Sequence, residues 1–292
     1  MNNLLEQGLE SKYIEYVENL PLKDKALQKS FIELLNENDC LKREKIWQSV
    51  SVQVENMKEM NQLANPFYLG FGNPDSDLLF IGKEKAFNII NSPGLFIKES
   101  VNNTAQWHKL KKTKEPLDHQ NLNNEIGFNP MFPKAYHTGV IKQRHTWGMY
   151  ATIASGLKNK DTKTHLNSMD YNTSFFQDCF MTEFNHMPSK YSPGKMKINK
   201  ERKDLLSSAF YKRFKTVIIG AQNYVTKELL AELFDIQEDG TIHIVGRNKR
   251  GDIKVVKYQN AHGQTFITCN QLSGAAGWTD DSVKNLIHLV RS

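Results

Sequence analysis

The sequence predicts a three-layer α/β/α fold, in which helices cover both faces of a central, mostly parallel, four-stranded sheet, with an N-terminal helical extension. Two observations predict it. Four short apolar runs have the length of buried strands, and segments with helical periodicity lie between them. Strands that are apolar throughout and alternate with helices are typical of parallel sheets buried on both faces. The hydrophobic share of 39% in 292 residues is enough for a substantial core.

The N-terminal extension is predicted to be helical. Apolar and aromatic residues recur there at helical spacing: Leu4, Leu5, Leu9, Tyr13 and Tyr16. The pattern breaks at Asn65-Pro66 and again over residues 70–74, which contain two glycines and a proline. We therefore predict a helical extension over residues 1–62 and an α/β domain over residues 63–292.

Strands and helices of the α/β domain follow from its apolar pattern. The predicted strands are Asp77–Glu84, Cys179–Pro188, Lys215–Gln222 and Gln264–Gly274. The predicted helices are Trp147–Leu157, Lys203–Phe214, Tyr224–Phe234 and Asp280–Val290. Ile242–Arg247 and Asp252–Asn260 are predicted to form a hairpin around residues 248–251. Residues 91–146 hold few apolar runs and are interpreted as a long insertion or loop, which is often functional at that length.

Charge favours a polyanionic partner. The formal net charge is +6, and basic residues cluster at His108–Lys114, Lys190–Lys203 and Arg247–Arg250. Any one cluster is equally consistent with a solvated lysine-rich loop. Three clusters in one modest domain favour contacts with phosphates.

Composition excludes several classes of protein. No stretch approaches the roughly 18 to 20 apolar residues needed to span a bilayer, and the N-terminus lacks an apolar signal core. The three cysteines, Cys40, Cys179 and Cys269, lie far apart and form no CxxC pattern. Reduced thiols in the cytoplasm fit best, and we expect no metal and no cofactor.

Polar residues follow each of the four predicted strands. They are Lys83-Glu84-Lys85, Glu183–His186, Ala221-Gln222-Asn223 and Asn270–Ser273. Ligands of such sheets bind beyond the carboxyl ends of the strands. The sequence therefore predicts one site assembled from four segments.

The four segments, read in order, resemble motifs of the uracil-DNA glycosylase superfamily. They read FIGKEKAF, CFMTEFNHMPSK, TVIIGAQ and TFITCNQLSGAAGW. The resemblance covers roughly residues 65–292. It implies a DNA glycosylase that flips a uracil-like or modified base out of single-stranded or duplex DNA and hydrolyses its N-glycosidic bond.

The resemblance assigns the first segment to catalysis and to the base. Glu84 stands at the family's acidic position, where it implies a residue that orients water and stabilises the sugar cation, while Gly82 and Lys83 imply contacts to the base. The competing interpretation of Glu84 is a surface Lys-Glu-Lys run. Ala86 stands where the family's tyrosine excludes 5-substituents, which implies a pocket for a base larger than uracil, unless Phe87 refills the space.

Three further residues are candidates to read or hold the base, and the resemblance favours Asn185 over Glu183 for the reading role. In the second segment, Asn185 offers a donor and an acceptor to uracil, whereas an ionised Glu183 only accepts and suits a base with amino or imino hydrogens. Two residues apart on an extended strand, both are expected to face the same side. Phe96 lies at about the spacing of the family's stacking aromatic, and a core phenylalanine is an equal alternative.

The last segment departs most from the family. Gln271-Leu272-Ser273 replaces the family's His-Pro-Ser, so Gln271 can donate to the base O2 without carrying a charge. Catalysis is then slower, acts on a better leaving group, or is lost. Leu272 is expected either to enter the duplex or to pack in the core. The phosphate contacts implied by the resemblance fall on Ser189, Lys190, Ser192, Lys195 and Ser273.

Two other functions remain open at this point. One is a module of the same fold that binds DNA, a nucleotide or a protein without catalysis, favoured by the missing histidine. The other is an enzyme acting on small nucleosides or nucleotides. A retained acidic residue at position 84 favours the glycosylase.

Overall fold

The computed structural model describes residues 1–51, 57–112, 128–133, 145–158, 173–189 and 198–292. The chain divides into two compact units. The helical unit comprises Met1–Gly70, Glu84–Pro133 and Asn185–Leu205. The sheet unit comprises Phe71–Lys83, Lys134–Phe184 and Leu206–Ser292. The chain thus passes between the units several times, whereas the sequence predicted a single boundary after residue 62.

The helices and strands follow one another along the chain. In order they are α1 (Asn2–Leu5), α2 (Leu9–Glu18), α3 (Lys25–Asn36), α4 (Cys40–Ser51), α5 (Met57–Gln62), β1 (Phe71–Gly72), β2 (Leu78–Gly82), α6 (Pro93–Leu95), a π-helix (Phe96–Val101), α7 (Asn103–Lys112), α8 (Thr146–Lys158), β3 (Phe180–Glu183), α9 (Lys200–Leu206), β4 (Thr216–Ile219), α10 (Lys227–Phe234), β5 (Thr241–Asn248), β6 (Gly251–Gln259), β7 (Thr265–Cys269) and α11 (Asp280–Arg291). Short 3₁₀ turns occupy Thr173–Gln177, Tyr211–Arg213, Gln222–Tyr224 and Gly274–Ala276.

In the helical unit, α3 shows why this part of the chain is helical. The side chain of Asp24 caps it by accepting from the N–H of Leu27 at 2.9 Å. Phe31 and Leu34 lie on its buried face together with Leu27, at the spacing of an amphipathic helix. The helices predicted for residues 1–62 are therefore confirmed where the structure describes them.

The sheet unit contains one seven-stranded mixed sheet in the order β1-β3-β2-β4-β7-β6-β5. The α/β class predicted from the sequence is confirmed, but the prediction of a four-stranded, mostly parallel sheet is wrong. The four predicted strands are its inner parallel part, because β2 is parallel to β3 and β4, and β4 is parallel to β7. Antiparallel strands β1 and β6 extend it on the two sides, and β5 forms the far edge.

Burial explains why the inner strands were recognisable and β1 was not. All five residues of β2 are buried, as a strand covered on both faces requires. Strand β1 has two residues and lies among turn-forming glycines. Its Gly72 has a φ of +89°, and a Cβ atom there would overlap the carbonyl oxygen of Cys179 on the neighbouring chain segment.

The β5–β6 hairpin is confirmed, with its turn between Asn248 and Gly251. Helix α11 covers one face: Asn285 donates to the carbonyl of Val245 at 2.8 Å, and Gly246 leaves room for Ser282. Two large apolar side chains on the hairpin stay exposed, Ile242 at 66% and Ile244 at 62%.

The four helices predicted for the α/β domain agree with the structure to different degrees. Three are confirmed as α8, α10 and α11 within a few residues of their predicted ends. The fourth, predicted over Lys203–Phe214, is wrong in extent: α9 ends at Leu206 and only a short 3₁₀ turn follows. The segment 91–146 was interpreted as a long insertion or loop, and its described part contains α6, the π-helix and α7.

The cysteines are free and buried. Cys40 lies in the helical unit, and Cys179 and Cys269 lie in the sheet unit. Burial raises the pKa of all three thiols. Among the described residues, no helix is long and apolar enough to cross a membrane.

Candidate functional site

The four inner strands run in one direction, so their last residues share one edge of the sheet. These residues are Gly82, Glu183, Ile219 and Cys269, and they define what we call the carboxyl edge. From β2 the chain continues to β3 on one side and then to β4 on the other, so the strand order reverses beside β2. Ligands of doubly wound sheets bind at this reversal, outside the carboxyl ends. Each predicted site segment therefore starts at the carboxyl edge, which is where a ligand is expected.

A carboxylate lies against the end of β2. Gly82 pairs in register with Glu183 of β3, and the N–H of Phe184 donates to the carbonyl of Gly82 at 3.0 Å. A Cβ atom at position 82 would overlap Oε2 of Glu183. Glycine is therefore needed here so that the half-buried Glu183 side chain can cross the strand end.

Tyr150 of α8 adds a phenol to this part of the sheet unit. It is buried, and its ring stacks on Phe80 of β2 with centroids 4.2 Å apart. Burial raises the pKa of Tyr150 well above its usual value, and the negative charge of Glu183 raises it further. The phenol therefore stays protonated at physiological pH. Tyr150 was not recognisable from the sequence, because its position in an apolar helix looks like ordinary core.

A half-buried ammonium group also lies at the carboxyl edge. Lys83 follows Gly82 directly, and its Nζ lies 5.6 Å from the ring centroid of Tyr224, in the 3₁₀ turn after β4. Within the described ranges no carboxylate pairs with Lys83.

The ends of β4 and β7 meet through glycine. The N–H of Gly220 donates to the carbonyl of Ile81 at 2.9 Å, and a Cβ atom at position 220 would lie 3.4 Å from the backbone N of Leu272. Leu272 is 1% exposed, which fits its packing interpretation and leaves no exposed side chain to enter a duplex. The side chain of the preceding Gln271 is exposed at this edge, and Ser273 is half-buried.

The backbone of Gln271 is held in a tight turn. Its carbonyl oxygen accepts from Nε1 of Trp278 at 3.1 Å and from the N–H of Ser273 at 2.8 Å. These bonds fix the main chain while the Gln271 amide stays open to solvent. The residue can therefore donate a hydrogen bond to a ligand at this edge.

In the helical unit, the loop after β2 is tied to the loop after β3. The N–H of Ser189 donates to the carbonyl of Lys85 at 2.9 Å. Glu84 and Ser189 are both half-buried. The predicted phosphate contacts Lys190, Ser192 and Lys195 lie outside the described residues.

Asn185 is turned inward at the start of the second loop. It is 3% exposed, and its side-chain oxygen accepts from the N–H of Met187 at 3.1 Å. This is the local hydrogen bond with which asparagine stabilises turns. The side-chain oxygen of Asn185 therefore stabilises the turn of its own loop in this structure.

His186 beside it is buried and neutral. Burial, and to a lesser extent the positive charge of Arg202, lower its pKa to about 3. Its ring packs edge-on against the ring of Tyr16, with the two ring centroids 6.2 Å apart. Its Nε2 has no hydrogen-bond partner among the described residues. The buried, neutral imidazole of His186 therefore packs in the interior of the helical unit.

A buried ionic cluster supports these two loops, and the sequence analysis did not find it. Nζ of Lys85 lies 3.7 Å from Oε2 of Glu99 and 3.8 Å above the ring centroid of Tyr68. Lys85 also donates to the backbone carbonyl of Glu99. Arg202 is fully buried and donates to the carbonyl of Tyr68. From the sequence only the Lys-Glu-Lys run was visible, with a catalytic Glu84 and a surface run as the two interpretations.

Phe96 lies in the aromatic core of the helical unit. Its ring is 0% exposed, with centroids 5.3 Å from Trp47 and 6.4 Å from Phe31. This matches the core alternative left open by the sequence. In this structure the ring has no surface on which a base can stack.

The chain matches no protein-family model, no curated protein and no solved structure. Among the described residues, no group of three or more His, Cys, Asp or Glu side chains is placed to hold a metal ion. A functional proposal therefore depends on the geometry of the two units.

Proposed function

We propose that the protein is a DNA glycosylase-like enzyme that flips and excises a uracil-like or modified base from DNA by hydrolysing its N-glycosidic bond. One observation carries the proposal. Each of the four polar segments that resemble glycosylase motifs follows one of four neighbouring parallel strands. All four segments therefore begin at the carboxyl edge of the sheet. In this proposal the sheet has helices on both faces, as three-layer domains do, and the enzyme acts in the cytoplasm.

Glu84 is the proposed catalytic carboxylate. As the base leaves, the bond between C1′ and the base nitrogen breaks and its electron pair goes to the base. Glu84 orients a water molecule, stabilises the cationic sugar and takes a proton as the water oxygen bonds to C1′. The departing base anion takes a proton from solvent and Glu84 later returns its proton to solvent, so the net change is the addition of one water molecule across the bond between C1′ and the base nitrogen.

Glu183 is the proposed base-reading residue. Its half-buried side chain reaches the end of β2 at the carboxyl edge, whereas Asn185 is 3% exposed and turned into its own loop. A carboxylate accepts from the amino or imino hydrogens of a base. Lys83, at the same edge, supplies a positive charge. No stacking role is proposed for Phe96 or insertion for Leu272, because both side chains are buried.

Gln271 is the proposed donor to the base O2. A neutral amide stabilises the developing negative charge less than a charged donor, so the rate is expected to be modest or the substrate to carry a good leaving group. The same observation favours the second candidate, a catalytically weak or inactive module that binds DNA or a nucleotide through the same edge.

The test is base release from labelled oligonucleotides. Single strands and duplexes carrying uracil, hypoxanthine or a 5-substituted pyrimidine are incubated with the protein, and alkali then cleaves any abasic site. Glu84→Gln and Glu183→Gln are assayed beside Glu238→Gln, which alters an exposed glutamate. We expect cleavage of one substrate class by the wild type and by Glu238→Gln, and its loss in Glu84→Gln.

The two candidates predict different outcomes. Loss of cleavage in Glu84→Gln with retained binding supports the glycosylase, and altered base preference in Glu183→Gln supports base reading. Binding of DNA without release of any base supports the binding module. Equal cleavage by Glu84→Gln and the wild type would overturn the assignment of Glu84.

A further inference from the structure

The tip of the β5–β6 hairpin, Arg247–Arg250, projects beyond the carboxyl edge. Strand β6 is antiparallel to β7, and Val255 pairs with Cys269, the last residue of β7. The residues of β6 before Val255 therefore continue past the end of β7. Gly251 lies four positions before Val255 in β6. At about 3.3 Å per residue, the tip therefore extends about 13 Å past the end of β7.

The tip is braced on the loop that follows β7. Nδ2 of Asn248 donates to the carbonyl of Gly277 at 2.8 Å, and its Oδ1 accepts from the N–H of Arg250 at 2.7 Å. Gly277 has a φ of +84°, and a Cβ atom there would overlap the Asn248 amide. The guanidinium of Arg250 reaches the carbonyl of Ala275 at 3.5 Å. This bracing holds the tip against the loop that carries Gln271.

The tip carries uncompensated positive charge. Arg247, Lys249 and Arg250 are exposed. Arg247 pairs with Asp252 at 2.8 Å. In the described part of the chain, no carboxylate pairs with Lys249 or Arg250. Lys249 and Arg250 therefore add two positive charges beyond the carboxyl edge of the sheet unit.

We propose that the hairpin tip is an arm that binds DNA phosphates outside the base-reading site, with Lys249 and Arg250 as its contacts. A braced, exposed pair of cations suits a regular polyanion, because each phosphate contact releases condensed counterions. Such contacts position a duplex without reading its sequence. The choice of DNA as the polyanion rests on the proposed function.

The test compares two double variants that remove equal charge from opposite edges of the sheet unit. Lys249→Ala/Arg250→Ala removes the arm. Lys212→Ala/Lys215→Ala is the control, because both lysines precede β4 and so lie on the side of its amino end, paired with Asp235 and Asp77. Binding of undamaged duplex is measured by anisotropy over a series of KCl concentrations, and melting temperatures check folding.

We expect the arm variant to bind about tenfold or more weakly near 0.1 M salt and to lower the slope of log K against log salt by about 2, since each phosphate contributes about 0.9. The control should keep the wild-type slope. Equal slopes in the two variants, or no DNA binding by the wild type, would overturn the proposal. Lys249→Glu alone, which leaves the Arg250 contact intact, should weaken binding in the same direction.

Base release separates this inference from the proposed function. If the wild type releases no base but the arm variant loses salt-dependent binding, the arm is supported and the glycosylase is not. If the wild type releases a base and the arm variant keeps the wild-type slope, the glycosylase is supported and the arm is not.

Discussion

At the scale of single residues, two glycines of the sheet unit are needed for different reasons. A Cβ atom at Gly82 would meet the end of a side chain, the Glu183 carboxylate. A Cβ atom at Gly72 would meet backbone, the carbonyl oxygen of Cys179, at a φ of +89°. A side-chain end can swing away, whereas paired backbone cannot. Substitution should therefore affect function at Gly82 and stability at Gly72.

We predict that Gly82→Ala changes the free energy of unfolding by less than about 1 kcal/mol, because the carboxylate of Glu183 can rotate away. We predict that Gly72→Ala costs more than about 2 kcal/mol, because the backbone must move and the left-handed φ disfavours alanine. Urea unfolding measures both, and base release or DNA binding should fall in Gly82→Ala. A larger loss of stability in Gly82→Ala than in Gly72→Ala would contradict this account.

His186 makes stability depend on pH. Its folded pKa of about 3 lies below the unfolded value of about 6.5, so only the unfolded chain takes up this proton between those values. The contribution of His186 is therefore complete above pH 6.5 and is lost as pH falls, at up to about 1.4 kcal/mol per pH unit. We predict a shallower fall between pH 6.5 and 4.5 in His186→Gln, measured by urea unfolding.

The control for this prediction is His262→Gln, which alters an exposed histidine. It should keep the wild-type dependence on pH. If His186→Gln instead lost stability as steeply as the wild type over this range, the buried imidazole would not be the group that takes up the proton.

Residue roles were only partly predictable from the sequence. Glu183 and Asn185 were expected to face the same side because they lie two apart, but β3 ends at Glu183 and its alternation stops there. Asn185 instead turns into its own loop. Stacking and core packing were equal alternatives for Phe96, because its partners, Trp47 and Phe31, lie far away in the sequence and no local pattern reveals such contacts.

At the scale of elements, the ion pair of Lys85 with Glu99 joins the loop after β2 to the π-helix. Both side chains are buried, so removing one partner leaves a charge with reduced compensation. We predict that Lys85→Met costs about 3 to 5 kcal/mol of stability and that Lys85→Met/Glu99→Met recovers most of it. A double-mutant cycle by urea unfolding measures the coupling.

The surface pair Lys200–Asp204 serves as the matched control in the same unit. Both of its side chains are exposed, so solvent screens their attraction and Lys200→Met should cost little. Additive effects of the two substitutions at positions 85 and 99 would show that the buried pair is not coupled.

Elements with a strong local pattern were predictable, and elements stabilised by distant contacts were not. The four inner strands and the hairpin follow from apolar runs and turn residues. Strand β1 exists because it pairs with β3, more than 100 residues later, and two residues hold no periodicity. Helix α9 ends early at Leu206, before the short 3₁₀ turn at Tyr211–Arg213.

At the scale of the whole molecule, the division into units does not follow chain order. The helical unit takes in Glu84–Pro133 and Asn185–Leu205, the stretches that follow β2 and β3. A boundary drawn from composition marks where turn residues cluster along the chain. It cannot show that later segments return to an earlier unit, because that depends on contacts between residues far apart in the chain.

The rate at which a thiol reagent modifies each of the three buried cysteines reports the opening of the unit that contains it. A thiol reagent reaches Cys40 only when the helical unit opens, and it reaches Cys179 and Cys269 only when the sheet unit opens. In native buffer all three should resist modification. In rising urea, Cys179 and Cys269 should be modified at one shared rate, followed by mass spectrometry of peptides. Whether Cys40 shares that rate tells if the protein melts as one cooperative body or as two.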